Sequence, residues 1–279
     1  MIKSYCKINL SLRILNKLKS GLHNIQSNSF LLELHDIIKI KKIQKKKDII
    51  IINGPFKNFI NKHKNSITET LAVLRQKKML EKNLKYKVNI YKNIPVFSGL
   101  GGSASNAAYI LKYFIKKKIT TQTLKIFTKK VGSDLNLFIY NQTFQKNFKN
   151  IIRYKKKFHF HFIIVYPYIK CSTKKIYSQV RGFSPKVKQN YANISSKKRF
   201  INLIKNERND LQKISTSKFT KIKKIIDFVS KQKGCYFSRM TGSGSACFGM
   251  FRNKKSASLG MKSLKKKFPR YWCVVTKTI

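Results

Sequence analysis

Apolar and polar residues along this chain fall first into short alternating runs and then into longer runs at helical spacing, and that order predicts where sheets and helices lie. Residues 3–14, 30–43, 48–53 and 86–92 read as strands. In the last of these Val88 and Ile90, followed by Ile94, alternate with polar positions. Residues 66–82 and 103–117 read as helices packed behind those strands, with Ala107, Leu111 and Phe114 recurring on one face. A lysine-rich stretch over 145–157, between Phe144 and Phe158, reads as a crossover. A strand over 158–166, helices over 196–206 and 217–233, and strands over 245–251 and 271–277 then follow. This pattern predicts an α+β chain of two domains, 1–150 and 151–279, rather than an alternating parallel fold. With 279 residues and 42% hydrophobic composition, two modest cores are affordable.

The stretch from strand to helix is Ile94-Pro95-Val96-Phe97-Ser98-Gly99-Leu100-Gly101-Gly102-Ser103-Ala104-Ser105-Asn106-Ala107-Ala108. Glycines let backbone N–H groups turn around an anion, and the start of a helix adds partial positive charge. Ser103 or Ser105 can reach a phosphate or its metal. No lysine follows the glycines, so the run is not the P-loop, and Ser105-Asn106 occupies the final positions of the dinucleotide fingerprint. Taken alone, a strand-to-helix turn built from glycine and serine needs no ligand.

Acids are scarce: Glu33, Asp36, Asp48, Glu69, Glu81, Asp134, Glu207, Asp210 and Asp227 are all the chain has. Most stand among lysines or on apparently exposed helices, as solvated charges. Asp134 lies between a glycine turn and the apolar run Leu135-x-Leu137-Phe138-Ile139, which predicts half-burial. Local sequence leaves two roles open for it, a cap on a turn or helix, and a carboxylate that positions a hydroxyl. His35 and His63 sit in charged surroundings, and His159 and His161 share a strand face with no cysteine or carboxylate beside them, so no metal site is expected. Cys6, Cys171, Cys235, Cys247 and Cys273 are odd in number and lack Cys-x-x-Cys spacing, which predicts reduced, mostly buried thiols.

Three separated blocks, spread over nearly the whole chain, resemble the GHMP small-molecule kinases. Pro95 through Ala108 resembles that family's Pro-x-x-x-Gly-Leu-Gly loop. Ser4-Tyr5-Cys6-Lys7-Ile8-Asn9-Leu10 with Gly21-Leu22-His23 is similar to its N-terminal strand and turn, and Ser238 through Phe248 is similar to its second glycine loop. Gly132-Ser133-Asp134 and Asn209-Asp210-Leu211 match two shorter elements. The resemblance implies an N-terminal domain of ribosomal-protein-like topology carrying the ATP loop and the catalytic aspartate, followed by a ferredoxin-like C-terminal domain.

The same resemblance implies ATP with Mg²⁺ on Pro95, Val96, Phe97, Ser98, Gly99, Leu100, Gly101, Gly102, Ser103, Ala104 and Ser105. Lys7 and Asp134 would be catalytic, Asn9, His23, Thr173 and Tyr177 would bind substrate, and Gly242 and Gly244 would close over the phosphates from the second domain. The implied acceptor is the 2-hydroxyl of a cytidine diphosphate-linked methylerythritol, on the non-mevalonate route to isoprenoid precursors. Two positions depart from the family pattern. Leu22 replaces an aromatic residue, leaving Tyr177 as the main stacking wall, and Asn136 replaces a proline. Another small alcohol is therefore an alternative acceptor, and an enzyme slowed by drift a further reading.

Charge supplies a competitor of another class. Lys and Arg total 62 against nine acids, for a formal net charge of +53, which ordinarily points to nucleic acid or an anionic membrane. Only nine of the 62 are arginine, the residue that bidentate phosphate and base contacts favour. Abundant lysine, isoleucine and asparagine match the drift of an AT-rich coding sequence, so composition needs no specific nucleic-acid partner. No apolar run approaches the length of a membrane span, and lysines at 3, 17 and 19 leave no signal-peptide core, which predicts a cytoplasmic protein; its oligomeric state, monomer or homodimer, is left open by the sequence.

Overall fold

A computed structural model of the chain describes residues 1–61, 65–115 and 119–279. His63 and the last residues of the helix expected over 103–117 lie outside the described residues. In chain order the elements begin with β1 (Ile2–Lys17), β2 (His23–Ile43), β3 (Ile49–Asn53), α1 (Ser66–Gln76), β4 (Lys85–Tyr91), α2 (Gly102–Phe114) and α3 (Thr121–Lys130). They continue with β5 (Gln142–Gln145), β6 (Ile151–Arg153), β7 (His161–Tyr166), α4 (Thr173–Tyr177), α5 (Lys197–Lys205) and α6 (Asp210–Lys218). Last come α7 (Thr220–Ser230), β8 (Cys235–Met240), β9 (Cys247–Phe251), α8 (Lys254–Lys267) and β10 (Trp272–Lys277). This is the α+β composition that the hydrophobic pattern predicts.

Two compact units form, each from several segments: the first from 1–7, 34–96 and 101–139, the second from 8–33, 97–100 and 140–279. They interleave in sequence, where the hydrophobic pattern places one boundary at residue 150. The reason is strand length. At 16 and 21 residues, β1 and β2 each belong partly to one unit and partly to the other.

In the first unit β3 and β4 run parallel, joined through α1, and β4 pairs antiparallel with the second half of β2, setting Ile38 opposite Ile90 and Ile40 opposite Val88. Ile38, Ile52, Val88 and Ile90 are buried, as are Leu71 and Leu74 of α1 and Ile110 and Leu111 of α2, and the two helices pack together. Asn65 starts α1 with a capping box. The helix stops at Gln76, short of the expected 82, because Lys78 takes a left-handed φ of 55°. A 3₁₀ segment, Ser133–Phe138, packs against α2 and α3.

In the second unit an antiparallel sheet runs β10-β7-β9-β8. Ile163 and Val165 of β7 share a core with Ile222, Ile225 and Val229 of α7 and Leu264 of α8. The sequence pattern missed α8 because its buried positions are the small Ala257 and Gly260 with a single leucine, among lysines. The expected crossover over 145–157 holds a short strand, β6, paired with β5. β2 begins at His23 rather than 30 because its polar residues are buried by mutual hydrogen bonding. Ser27 Oγ donates to the Ser11 carbonyl at 2.7 Å, and Asn28 Nδ2 donates to Ser11 Oγ at 2.9 Å. The guanidinium of Arg239 donates to the carbonyls of Leu10 and Glu207, and burial lowers its pKa to about 10.

Candidate active site

In the first unit the glycine run opens α2 as its sequence predicts. Gly101 is the N-cap, with a left-handed φ of 70°. A side chain there has no room: a Cβ would lie 2.9 Å from the Phe138 ring and 3.1 Å from Lys7 Cε. That close approach sets the first turn of α2, whose N–H groups have no partner within the helix, beside Lys7. The Lys7 ammonium stands 3.5 Å from Asp134 Oδ2, with the lysine side chain buried (4% exposed) and the aspartate side chain 42% exposed. The expected half-burial of Asp134 is thus what the fold produces. Lys112 Nζ donates to the Phe138 carbonyl at 2.7 Å and ties α2 to the segment carrying Asp134, and burial lowers its pKa.

In the second unit the middle of the glycine run meets the second glycine loop. Gly99 has a φ of 79°, and a Cβ there would lie 2.2 Å from the Thr241 carbonyl oxygen, so the two loops approach backbone to backbone. Ala246 N–H donates to the Ser98 carbonyl at 3.0 Å. Asn9 is buried beneath this contact: its backbone N–H donates to Thr241 Oγ1 at 2.9 Å and its side-chain amide to Ser27 and Ser29. Asn209, the start of the expected Asn-Asp-Leu element, donates to the carbonyls of Met240 and Gly242 and shapes the same loop. Thr173 is exposed and its hydroxyl lies 3.0 Å from that of Ser243. His23 and Tyr177 face each other with ring centroids 5.0 Å apart. Burial first, and Lys17 second, lower the His23 pKa below 6.5.

The two serines of the glycine run differ in fate. Ser103 is exposed on the first turn of α2, whereas Ser105 is buried, its hydroxyl donating to the Tyr5 carbonyl at 2.6 Å and pairing with Ser4. Leu100 is likewise wholly buried, and Phe97 is 47% exposed with a left-handed φ of 56°. Sequence reasoning missed Asp36 and Lys92. Both are buried and paired, although the aspartate had read as a solvated charge. Its signal was legible: an acid set against Ile37 and Ile38 in a strand is out of place unless it is paired. Among the described residues no group of three or more potential metal ligands occurs, and no helix is long and apolar enough to cross a membrane.

Comparison with known proteins supplies the family. Residues 65–136 match the N-terminal domain of GHMP kinases and residues 192–270 match the GHMP kinase C-terminal region. The chain is 36% identical to 4-diphosphocytidyl-2-C-methyl-D-erythritol kinase of Pelagibacter ubique, covering 100% of this chain and 98% of that protein. It is also 36% identical to the kinase of that name from Buchnera aphidicola, over 91% of this chain and 87% of that protein. Among solved structures, a 4-(cytidine 5'-diphospho)-2C-methyl-D-erythritol kinase has the same fold, with a TM-score of 0.73 at 18% identity over 100% of this chain and 99% of the other. A mevalonate kinase follows at 0.66 and 17%, covering 99% of this chain and 98% of its own. With two glycine loops in place, a lysine–aspartate pair at the first of them and a full-length relative at 36% identity, the chain belongs to the GHMP kinase family of ATP-dependent small-molecule kinases.

Proposed function

We propose that this chain is a cytoplasmic kinase that transfers the γ-phosphoryl group of ATP to the 2-hydroxyl of 4-diphosphocytidyl-2-C-methyl-D-erythritol. The observation that carries the reading is the Lys7–Asp134 pair, at 3.5 Å, beside the left-handed Gly101 that opens α2. Asp134 orients the acceptor hydroxyl and takes its proton as the oxygen attacks the γ-phosphorus and the bond to the bridging oxygen breaks, releasing ADP. Lys7 offsets negative charge on the attacking oxygen and the transferring group. Backbone N–H groups at the start of α2 hold phosphate oxygens. His23 and Tyr177, in contact at 5.0 Å between ring centroids and tilted by 37°, offer ring surface for the cytosine to stack against and an imidazole to hydrogen-bond its edge.

Mg²⁺ fits this donor set as a companion of the nucleotide. The exposed Ser103 hydroxyl and the exposed part of the Asp134 carboxylate are oxygen donors that would hold the ion alongside triphosphate oxygens and water. Bound there, the ion would neutralise charge on the triphosphate.

ATP consumption measured with Mg²⁺ and 4-diphosphocytidyl-2-C-methyl-D-erythritol, against a panel of other small alcohols, tests the reading. Asp134→Asn is expected to keep the fold and lose turnover on the order of a thousandfold. Near-normal turnover in that variant removes Asp134 from its role. Leu22, 45% exposed where the family pattern has an aromatic ring, favours the second reading of a different alcohol, and turnover restricted to one of the panel would establish it.

A further inference from the structure

Asp36 is fully buried, its partner Lys92 is 2% exposed, and the mechanism uses neither. The aspartate lies on β2 and reaches the exit of β4, where the chain turns into the glycine run. Its Oδ1 accepts the backbone N–H groups of Asn93 at 2.8 Å and Ile94 at 2.9 Å, and its Oδ2 pairs with the Lys92 ammonium. Asn93 Nδ2 in turn donates to the His35 carbonyl at 3.1 Å, so three consecutive residues before Pro95 are held to one short segment of β2. The ammonium also lies near the far arm of the run: a Cβ on Gly102 would come within 3.3 Å of Lys92 Nζ. One buried ion pair therefore holds the residues that enter the glycine run and lies beside the first residue of α2 that leaves it.

A buried ion pair is a poor source of stability, because removing both charges from water offsets most of their attraction. Its geometry here suits positioning, since the carboxylate fixes backbone N–H groups and the ammonium stands near the helix start that receives negative charge. We infer that Asp36 is a positioning residue for ATP, holding the entering arm of the phosphate loop and setting the Lys92 charge near Gly102. The inference rests on the kinase reading and deepens it.

The test compares the unaltered chain with Asp36→Asn, Lys92→Met and the double variant, reading thermal midpoint, the KM for ATP and for the alcohol, and calorimetric binding of a non-hydrolysable ATP analogue with Mg²⁺. Each single variant leaves a buried charge or acceptor unmatched and is expected to unfold at lower temperature. The neutral double variant is expected to recover most of that loss. Its ATP KM and analogue affinity are nonetheless expected to stay weakened about tenfold, while the KM for the alcohol stays within about twofold. Recovery of ATP affinity together with stability overturns the inference, because the pair would then be a packing device alone. A parallel rise in both KM values also overturns it, as a general loosening. Analogue binding is independent of the acceptor, so failure of the alcohol assay with binding intact removes the proposed substrate and leaves this inference standing. An unaltered chain that does not bind the analogue removes both.

Discussion

At the scale of single residues, exposure decides what a paired charge can do. Asp134 and Asp36 are both aspartates beside a lysine. One keeps 42% of its side chain open and the other keeps none, and that difference separates a group free to meet a substrate from one that holds backbone. His23 adds a pH dependence. Burial and Lys17 depress its pKa below 6.5, so the folded ring binds a proton less readily than the unfolded one. Its contribution is therefore complete above the unfolded value of 6.5 and is lost as pH falls from there through the folded pKa. Thermal midpoints taken from neutral pH downward should fall more steeply for the unaltered chain than for His23→Gln. His161 is shifted in the same direction, and the comparison cancels it. A ring titrating above 6.5 by NMR would contradict the assignment.

At the scale of elements, the two glycine loops succeed as a pair. Gly99 tolerates no side chain because the atom it would meet is backbone, the Thr241 carbonyl oxygen at 2.2 Å, which cannot rotate away. Gly99→Ala should destabilise the chain by about 2–4 kcal/mol, combining left-handed strain with the clash, and should raise the KM for ATP. Gly132→Ala is the control for stability: its backbone is extended and nothing lies within 4 Å of the added carbon, so a change within about 0.5 kcal/mol is expected. Equal effects from the two substitutions, read by denaturant unfolding, would mean that loop contact is not what Gly99 preserves. The same scale explains which elements escaped sequence reasoning. α8 buries alanine and glycine, and the start of β2 buries serine and asparagine. A hydrophobic period registers neither, since close backbone packing and hydrogen-bond pairing take the place of large apolar side chains.

Across the whole molecule a formal charge of +53 acts on stability before it acts on partners. Six ion pairs appear among the described residues, and the one between Lys277 and Glu33 has both side chains more than half exposed, so pairing relieves little of the repulsion. Raising sodium chloride from about 0.05 to 0.5 M shortens the screening length several-fold and should raise the thermal midpoint by roughly 3–6 °C. Sulfate or phosphate at equal ionic strength should do more if the anions also occupy the glycine loops. A midpoint indifferent to salt would mean that the lysines are spread too widely to repel. Any adhesion to nucleic acid should disappear over the same salt range while kinase activity persists, which separates adhesion by charge from function.

Local order in the amino-acid sequence was enough to determine the α+β class, the strand–glycine–helix transition at Pro95–Ala108, and Asp134 as the acid set apart from its fellows. Each of these is a property of near neighbours: a hydrophobic period, a run of glycines, an acid beside an apolar segment. Tertiary structure alone decided the rest. It turned Ser105 into the core and left Ser103 outside, and it put Gly99 against Thr241 across more than a hundred residues of chain. It also chose Lys92 as the buried partner of Asp36, where Ile37 and Ile38 signal only that the acid needs one. Burial depends on which distant segments pack over a residue, and the long strands β1 and β2, each belonging to both units, made that choice here through pairings that no local pattern encodes.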